Sequence, residues 1–121
     1  MAWQFDNTQA VFIQIAHRLR GDILCGKYLP DDQLPSVRQL ALKAAVNPNT
    51  MQKALTLLEE EGLLYTRGTV GRFITSDISV IENAREQMRR QTVRSWLSQA
   101  KDLGISVEEM LNYIREEEAN V

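Results

Sequence analysis

The sequence predicts an α+β fold class, mostly α, and three observations carry that expectation. Apolar residues recur every three to four positions through most of the 121 residues, which is the helical period. Two short β-prone runs, Leu63-Leu64-Tyr65-Thr66 and Arg72-Phe73-Ile74-Thr75, flank Arg67-Gly68-Thr69-Val70-Gly71, whose glycines admit positive φ, so the pair reads as a hairpin. Capping signals divide the helical stretches into separate elements.

After the polar Asp6-Asn7-Thr8, the residues Phe12, Ile15, Leu19 and Ile23 share one face and Gly26 offers a stop, so the first helix is expected from Thr8 to Cys25. Pro30-Asp31-Asp32 reads as a turn. Ser36 stands three before Gln39, the capping-box spacing, and Val37, Leu40, Ala41 and Ala44 form the apolar stripe of a second helix of about ten residues. Asn47 can cap a third helix through its side-chain oxygen, and Pro48 suits the first helical position because its missing N–H costs nothing there. That helix runs to about Glu61, with Gly62 as its stop. Met51, Ala54, Leu55 and Leu58 fall on its buried side; Asn49, Gln52, Lys53 and Thr56 fall on the other. Beyond the hairpin, Ser79 with Glu82 and Ser106 with Glu109 repeat the capping-box spacing, which predicts a long helix to about Leu103 and a short one ending near Glu117, parted at Gly104.

Helix, tight connection, helix with an outward polar face, then a hairpin with a basic tip is the order of a winged helix-turn-helix domain. Residues 1–77 are read as that domain and residues 78–121 as a C-terminal two-helix dimerisation extension. In such a domain the second helix lies across the sugar-phosphate backbone. The third places its N-terminal residues in the major groove, where Asn and Gln pair with adenine edges. From the hairpin, Arg67 or Arg72 reaches phosphates or the minor groove. Ser36 and Asn47 open helices whose N-termini attract phosphate.

A net charge of −2 argues against a nucleic-acid partner until its distribution is read. Between Gln33 and Ser76 the bases are Arg38, Lys43, Lys53, Arg67 and Arg72, and the acids are Glu59, Glu60 and Glu61 alone. From Ile78 onward six bases meet eight acids, so the deficit of the whole chain sits in the tail. The three consecutive glutamates are expected to be a solvated helix end, although carboxylates there oppose the helix dipole.

Other classes find little support. One Cys25 and one His17 give no metal-ligand cluster and no internal disulfide; His17 reads as a surface or half-buried helix residue and Cys25 as a packing residue near a helix end, and no cofactor or metal is implied. Consecutive glutamates point in different directions along a helix and cannot converge as general acid and base, and no phosphate-cradling glycine loop is present, so an enzyme is not expected. No stretch approaches the ~20 apolar residues that span a bilayer, and Met1-Ala2-Trp3-Gln4-Phe5-Asp6 lacks the pattern of a secretion signal; a soluble, cytoplasmic protein is expected.

The run Leu34-Pro35-Ser36-Val37-Arg38-Gln39-Leu40-Ala41, then Val46-Asn47-Pro48-Asn49-Thr50-Met51-Gln52-Lys53-Ala54-Leu55, then Leu58-Glu59-Glu60-Glu61-Gly62-Leu63-Leu64-Tyr65-Thr66-Arg67 resembles the DNA-binding domain of the GntR family of bacterial transcription regulators. With Phe12-Ile13-Gln14-Ile15 and Val70-Gly71-Arg72-Phe73-Ile74 the resemblance covers about residues 10 to 75. The short tail and the Asn47-Pro48-Asn49-Thr50 helix start look most like the YtrA-like branch. The resemblance implies that Ser36 and Arg38 contact DNA, that Asn47, Asn49, Thr50, Gln52 and Lys53 form the recognition surface, and that Arg67, Thr69 and Arg72 belong to the wing. It also implies repression of the protein's own operon. Two places depart from the family pattern. Ala45 stands where many such turns have glycine, which suits a turn whose φ stays negative, and Gly68-Thr69 replaces the Arg-Gly common at the wing tip.

In the tail, Ala84, Met88, Thr92, Trp96, Ala100 and Leu103 repeat at helical spacing, and Val107, Met110, Leu111 and Ile114 continue the stripe. A helical pair of this size has too little interior to hide them, so a second copy is the expected cover. The interface is assigned to Ala84, Met88, Trp96, Ala100, Leu103, Met110, Leu111 and Ile114; the other option is that the tail folds back on its own winged domain. Trp96, Met88 and Tyr113 are candidates to line a cleft for a small-molecule effector. The expected function is a homodimeric transcription factor, a repressor, on a palindromic double-stranded DNA operator. The rival is a winged-helix module that docks proteins instead.

Overall fold

The computed structural model describes residues 3–121. Its elements follow in chain order as α1 (Val11–Leu24), α2 (Val37–Ala44), α3 (Pro48–Glu60), β1 (Leu64–Arg67), β2 (Gly71–Ile74), α4 (Ile78–Asp102) and α5 (Val107–Ala119). This is a winged-helix fold, mostly helical, with a small antiparallel hairpin, as the sequence predicts. Two compact units divide the chain, one ending at Ala84 and one beginning at Arg85, so the first turns of α4 belong with the winged helix.

In the first unit α1 and α2 both pack on α3, and β1 packs beside it. Ile15, Leu19 and Ile23 from α1, Leu40 from α2, and Met51, Leu55 and Leu58 from α3 are buried side chains of this core. Removing each from water contributes ~1.5–3 kcal/mol, which is what holds three short helices together. The apolar faces expected for the second and third helices are buried except at Val37, which is half-buried like Phe12 on the first, and Cys25, expected to pack, is exposed just past the end of α1.

The local signals act largely as their chemistry dictates. Ser36 and Gln39 form a reciprocal capping box, with Gln39 N donating to Ser36 Oγ at 3.1 Å and Ser36 N to Gln39 Oε1 at 2.9 Å. Asn47 Oδ1 accepts from Asn49 N at 2.8 Å, with Pro48 at the first helical position. Ser106 and Glu109 close a second box.

Several details differ from expectation. Helix α1 starts at Val11, not Thr8, because Asp6 Oδ1 accepts from Thr8 N at 2.9 Å and from Thr8 Oγ1 at 2.5 Å, closing a turn. The Gln14 carboxamide then holds the Asp6 and Gln9 carbonyls at 2.9 and 2.8 Å. Helix α4 is capped not by Ser79 but by Asp77, whose Oδ1 accepts from Ser79 N at 3.0 Å and Ser79 Oγ at 2.6 Å. These bonds hold the Asp77 carboxyl below the usual carboxylate range. Helix α2 has 8 residues, not ten, and α5 runs on to Ala119.

Ala45 has φ 59 and ψ 47, so its φ is positive where a negative value was expected. The cause is the way α2 ends: Val46 N donates to the Ala41 carbonyl at 3.0 Å and Ala45 N to Leu42 O at 3.2 Å, a closure that needs a left-handed residue between them.

The hairpin pairs Leu64 with Ile74, Tyr65 with Phe73, Thr66 with Arg72 and Arg67 with Gly71. A third strip joins it. Asp31 N donates to Ile74 O at 3.0 Å, Ile74 N to Asp32 O at 2.9 Å and Leu34 N to Arg72 O at 2.9 Å. The segment read only as a turn therefore also forms an edge of the wing. Tyr65 Oη donates to Asp31 Oδ1 at 2.9 Å, a bond that raises the phenol's pKa above its ordinary range.

The second unit contains the rest of α4 and all of α5, with Gly104 between the helices. Ala100 is buried there, Met88 and Met110 are half-buried, and Trp96, Leu103, Leu111 and Ile114 are exposed.

Candidate nucleic-acid interface

Helix α3 divides its residues as its period requires. Met51, Ala54, Leu55 and Leu58 are buried, while Asn49, Gln52, Lys53 and Thr56 are exposed and Thr50 is intermediate. Asn47 sits at the N-cap with its Oδ1 turned back to the Asn49 amide, so this side chain is partly committed to the helix end. One helical turn of amides and a cation thus stands clear of the core at the positive end of the helix dipole.

Ser36 and Arg38 open α2, both exposed. The Ser36 hydroxyl is engaged in its capping box. Arg38, Gln52 and Lys53 have no ion pair or side-chain hydrogen bond among the described residues. Long side chains in that state are free to meet phosphate or base edges.

The wing is different. The two arginines expected to reach outward are both engaged by the protein. Arg67 lays its guanidinium over the Phe73 ring at 4.9 Å, and that ring stacks on Tyr65 at 5.7 Å between centroids. Arg72 Nε donates to Glu59 Oε1, and the same oxygen accepts from Thr66 Oγ1 at 3.0 Å. Thr69 and Val70 are what the tip exposes, Val70 at 62%.

The glutamate run is not simply solvated. Glu59 pairs with Arg72, and Glu61 takes both Nε and Nη2 of Arg20, at 2.7 and 2.5 Å. Two of three carboxylates at the C-terminal end of α3 are thereby offset by arginines from β2 and α1, which answers the unfavourable dipole contact. Gln33, which no motif or spacing singles out, also belongs to the site: its Nε2 donates to the Val70 carbonyl at 2.9 Å. Its position just ahead of the Leu34-Pro35-Ser36 run carried no signal that a side chain there would reach across 37 residues.

In the tail, Trp96 and Tyr113 line an apolar groove of about 410 Å³ between α4 and α5, with Leu103, Met110 and Ile114; Met88 lies outside that lining. Of Trp96, Leu103, Tyr113 and Ile114 the most exposed is Leu103, at 78%. Among the described residues no helix is long and apolar enough to cross a membrane, and no group of His, Cys, Asp and Glu stands ready to hold a metal ion.

Comparison with known proteins agrees with this geometry. Residues 13–74 match the family of bacterial regulatory proteins described as the gntR family. An uncharacterized HTH-type transcriptional regulator of Bacillus subtilis (strain 168), YhcF, is 33% identical over 112 residues, covering 93% of each chain. The HTH-type transcriptional repressor YtrA of the same organism is 30% identical over 92% of this chain and 86% of its own. Among solved structures, a GntR family transcriptional regulator from Listeria monocytogenes superposes with a TM-score of 0.86 at 34% identity, covering 93% of this chain and 98% of the other. The DNA-binding domain of AraR in complex with operator ORX1 superposes at 0.54 with 27% identity, over 60% of this chain and 93% of that one. A matched segment that spans α1 to β2, near-full-length relatives and an exposed α3 face agree: this chain belongs to the gntR family of bacterial regulatory proteins, in its YtrA-like branch, as a transcriptional regulator with a winged-helix DNA-binding domain and not as an enzyme.

Proposed function

We propose that the chain is a cytoplasmic, nucleoid-associated repressor that occupies a palindromic operator as a homodimer, each copy laying α3 in the major groove. The observation that carries this is the strip Asn49, Gln52, Lys53 and Thr56, exposed on one face of a helix whose other face is wholly core. Amides that can read base edges beside a cation that can meet phosphate make a recognition surface. Arg38 contributes a further phosphate contact from α2, together with the Ser36 end of that helix. The repressor at 30% identity and the operator-bound relative support the same reading.

Dimerisation is proposed through the tail, where Trp96 on α4, Leu103 just past its end, and Leu111 and Ile114 on α5 are exposed apolar side chains. Leaving several such groups wet costs about 1.5–3 kcal/mol each relative to full burial, and a two-fold partner removes that cost symmetrically. Helix α4, with 25 residues, is about 37 Å long, close to the ~34–36 Å between half-sites one DNA turn apart. A small apolar effector in the Trp96–Tyr113 groove would contact Trp96, Leu103 and Ile114 of this same interface and so shift the dimer's geometry.

Gel-shift titration against the protein's own upstream DNA tests the proposal. If each copy neutralises about four phosphates, log K falls with log salt at a slope near −7 for the dimer. A flat salt response, or no shift, overturns it and favours a protein-docking module.

A further inference from the structure

The hairpin tip is held by more than its own strands. Gln33 lies on the strip that pairs with β2, where Leu34 N donates to Arg72 O at 2.9 Å. Backbone pairing cannot continue past that point. Pro35 has no N–H, and Ser36 N is taken by Gln39 Oε1 at 2.9 Å in the cap of α2. The row of donors is instead extended by a side chain: Gln33 Nε2 reaches the Val70 carbonyl at 2.9 Å.

The opposing backbone is shaped for that contact. Gly71 has φ 139, a conformation that favours glycine, and a Cβ at this position would stand 2.9 Å from Gln33 Nε2. Without the amide, the tip would rest on the turn bond from Val70 N to Arg67 O at 2.9 Å and on the two strands behind it. A groove of about 890 Å³ is lined by Ser36, Gln39 and Lys43 of the α2 region and by Thr69 and Val70 of the tip, and Gln33 lines it as well.

We propose that Gln33 is a positioning residue for DNA binding: its carboxamide fixes residues 68–70 of the wing relative to the N-terminal end of α2, so that tip and helix meet the duplex in one register. This rests on the DNA-binding reading above. Gln33 acts through Val70 and touches no base itself. Arg67 lies over the Phe73 ring and Arg72 is paired with Glu59, so among the described residues neither arginine side chain is bonded to residues 68–70, whereas the Gln33 amide is.

The test uses the full chain, Gln33→Ala and Gln33→Glu, and a duplex selected by the wild-type chain from a randomised pool. Gln33→Glu keeps the length but presents a carboxylate to a carbonyl. First, backbone ¹⁵N relaxation reports the order of residues 68–71; both variants should loosen them while α1 and α3 stay unchanged. Second, an iron chelate tethered at Thr69→Cys, in a Cys25→Ser background, cuts DNA near the tip. A narrow cluster of cuts should spread when Gln33 is replaced, and the dissociation constant should rise about tenfold. Unchanged order at residues 68–71, or a cut pattern as narrow as before, overturns the proposal. A uniform loss of affinity with the cuts still focused assigns Gln33 to fold stability alone and also overturns it. Failure of the wild-type chain to select any duplex sinks the DNA reading itself and this proposal with it, a result distinguishable because the relaxation data still report on the wing.

Discussion

Arg72 Nε donates to Glu59 Oε1, tying the second strand of the wing to the last turn of α3. Both side chains are mostly withdrawn from solvent, at 17% and 30% exposure, so the pair lies between a surface ion pair of little worth and a buried one. Glu59 also accepts from Thr66 Oγ1, which fixes β1 at the same oxygen. The wing therefore moves with the helix beside it.

Replacing Glu59 by Gln should leave the Arg72 guanidinium partly shielded from water and without its counter-charge. A loss of about 1–2 kcal/mol in urea unfolding is expected. Glu59→Gln combined with Arg72→Met should lose less than the sum of the two single changes. Strict additivity would show that the contact contributes nothing.

Ala45→Gly should act in the opposite direction. An L-residue at φ 59 carries a steric cost of roughly 1–2 kcal/mol that glycine avoids, partly offset by the greater freedom of glycine in the unfolded chain. The net expectation is a gain of about 0.5–1 kcal/mol, measured as a higher urea midpoint with unchanged slope. A lower midpoint would mean that the alanine methyl makes a compensating contact.

Most of the winged domain is legible from local chemistry. Ser36 with Gln39, Asn47 before Pro48, and the apolar stripe Met51, Ala54, Leu55 and Leu58 each carry their outcome in a few neighbouring residues. The failures share a cause: a competing partner at short or long range. Asp77 stands two residues ahead of Ser79 and accepts its amide first, so the capping-box spacing to Glu82 misplaces the cap. Ala45 is left-handed because the end of α2 demands it, whatever residue is present. Arg72 belongs by spacing to the wing, but its partner Glu59 lies 13 residues earlier, and no periodicity reports a pair across a helix end. The same holds for Gln33 and Val70. The exposed strip on α3 was readable because it needs no partner within the chain.

The cap of α4 gives a pH signature. Hydrogen bonds from the Ser79 hydroxyl and amide lower the Asp77 pKa from its ordinary value of 3.8. A carboxyl depressed on folding contributes stability above its unfolded value, and that contribution is lost as pH falls through the lower folded value. The Ser79 amide resonance should therefore move in an acid titration with a midpoint below 3.8. Asp77→Asn, which still offers an acceptor oxygen, should abolish the inflection while keeping the helix start. A midpoint at or above the ordinary value would contradict the cap.

Gln52 and Lys53 are adjacent, both exposed, and should fail differently. Gln52→Ala should cost ~1–3 kcal/mol on the selected duplex and relax preference at one base pair, as expected when a bidentate base contact is removed. Lys53→Ala should weaken all sequences about equally and make the salt slope shallower by roughly one, as for a lost phosphate contact. Binding titrations at several salt concentrations separate the two. Equal and salt-independent losses would show that this strip does not face nucleic acid.

The tail offers the sharpest test of assembly. Leu111 is 46% exposed and Ile114 44% on α5, so a polar group at either place costs the isolated chain little. In a two-fold dimer each substitution occurs twice. Removing two side chains, each worth ~1.5–3 kcal/mol when buried, and placing a charge in their stead should raise the dimer dissociation constant by two or more orders of magnitude. Leu111→Asp should therefore elute as a monomer under conditions where the wild-type chain is dimeric by size exclusion with light scattering. Its far-ultraviolet circular dichroism should be unchanged, and its affinity for a palindromic duplex should fall toward that for a single half-site. A Leu111→Asp chain that remains dimeric would move the interface away from α5, and a wild-type chain that is monomeric at high micromolar concentration would remove the dimer altogether.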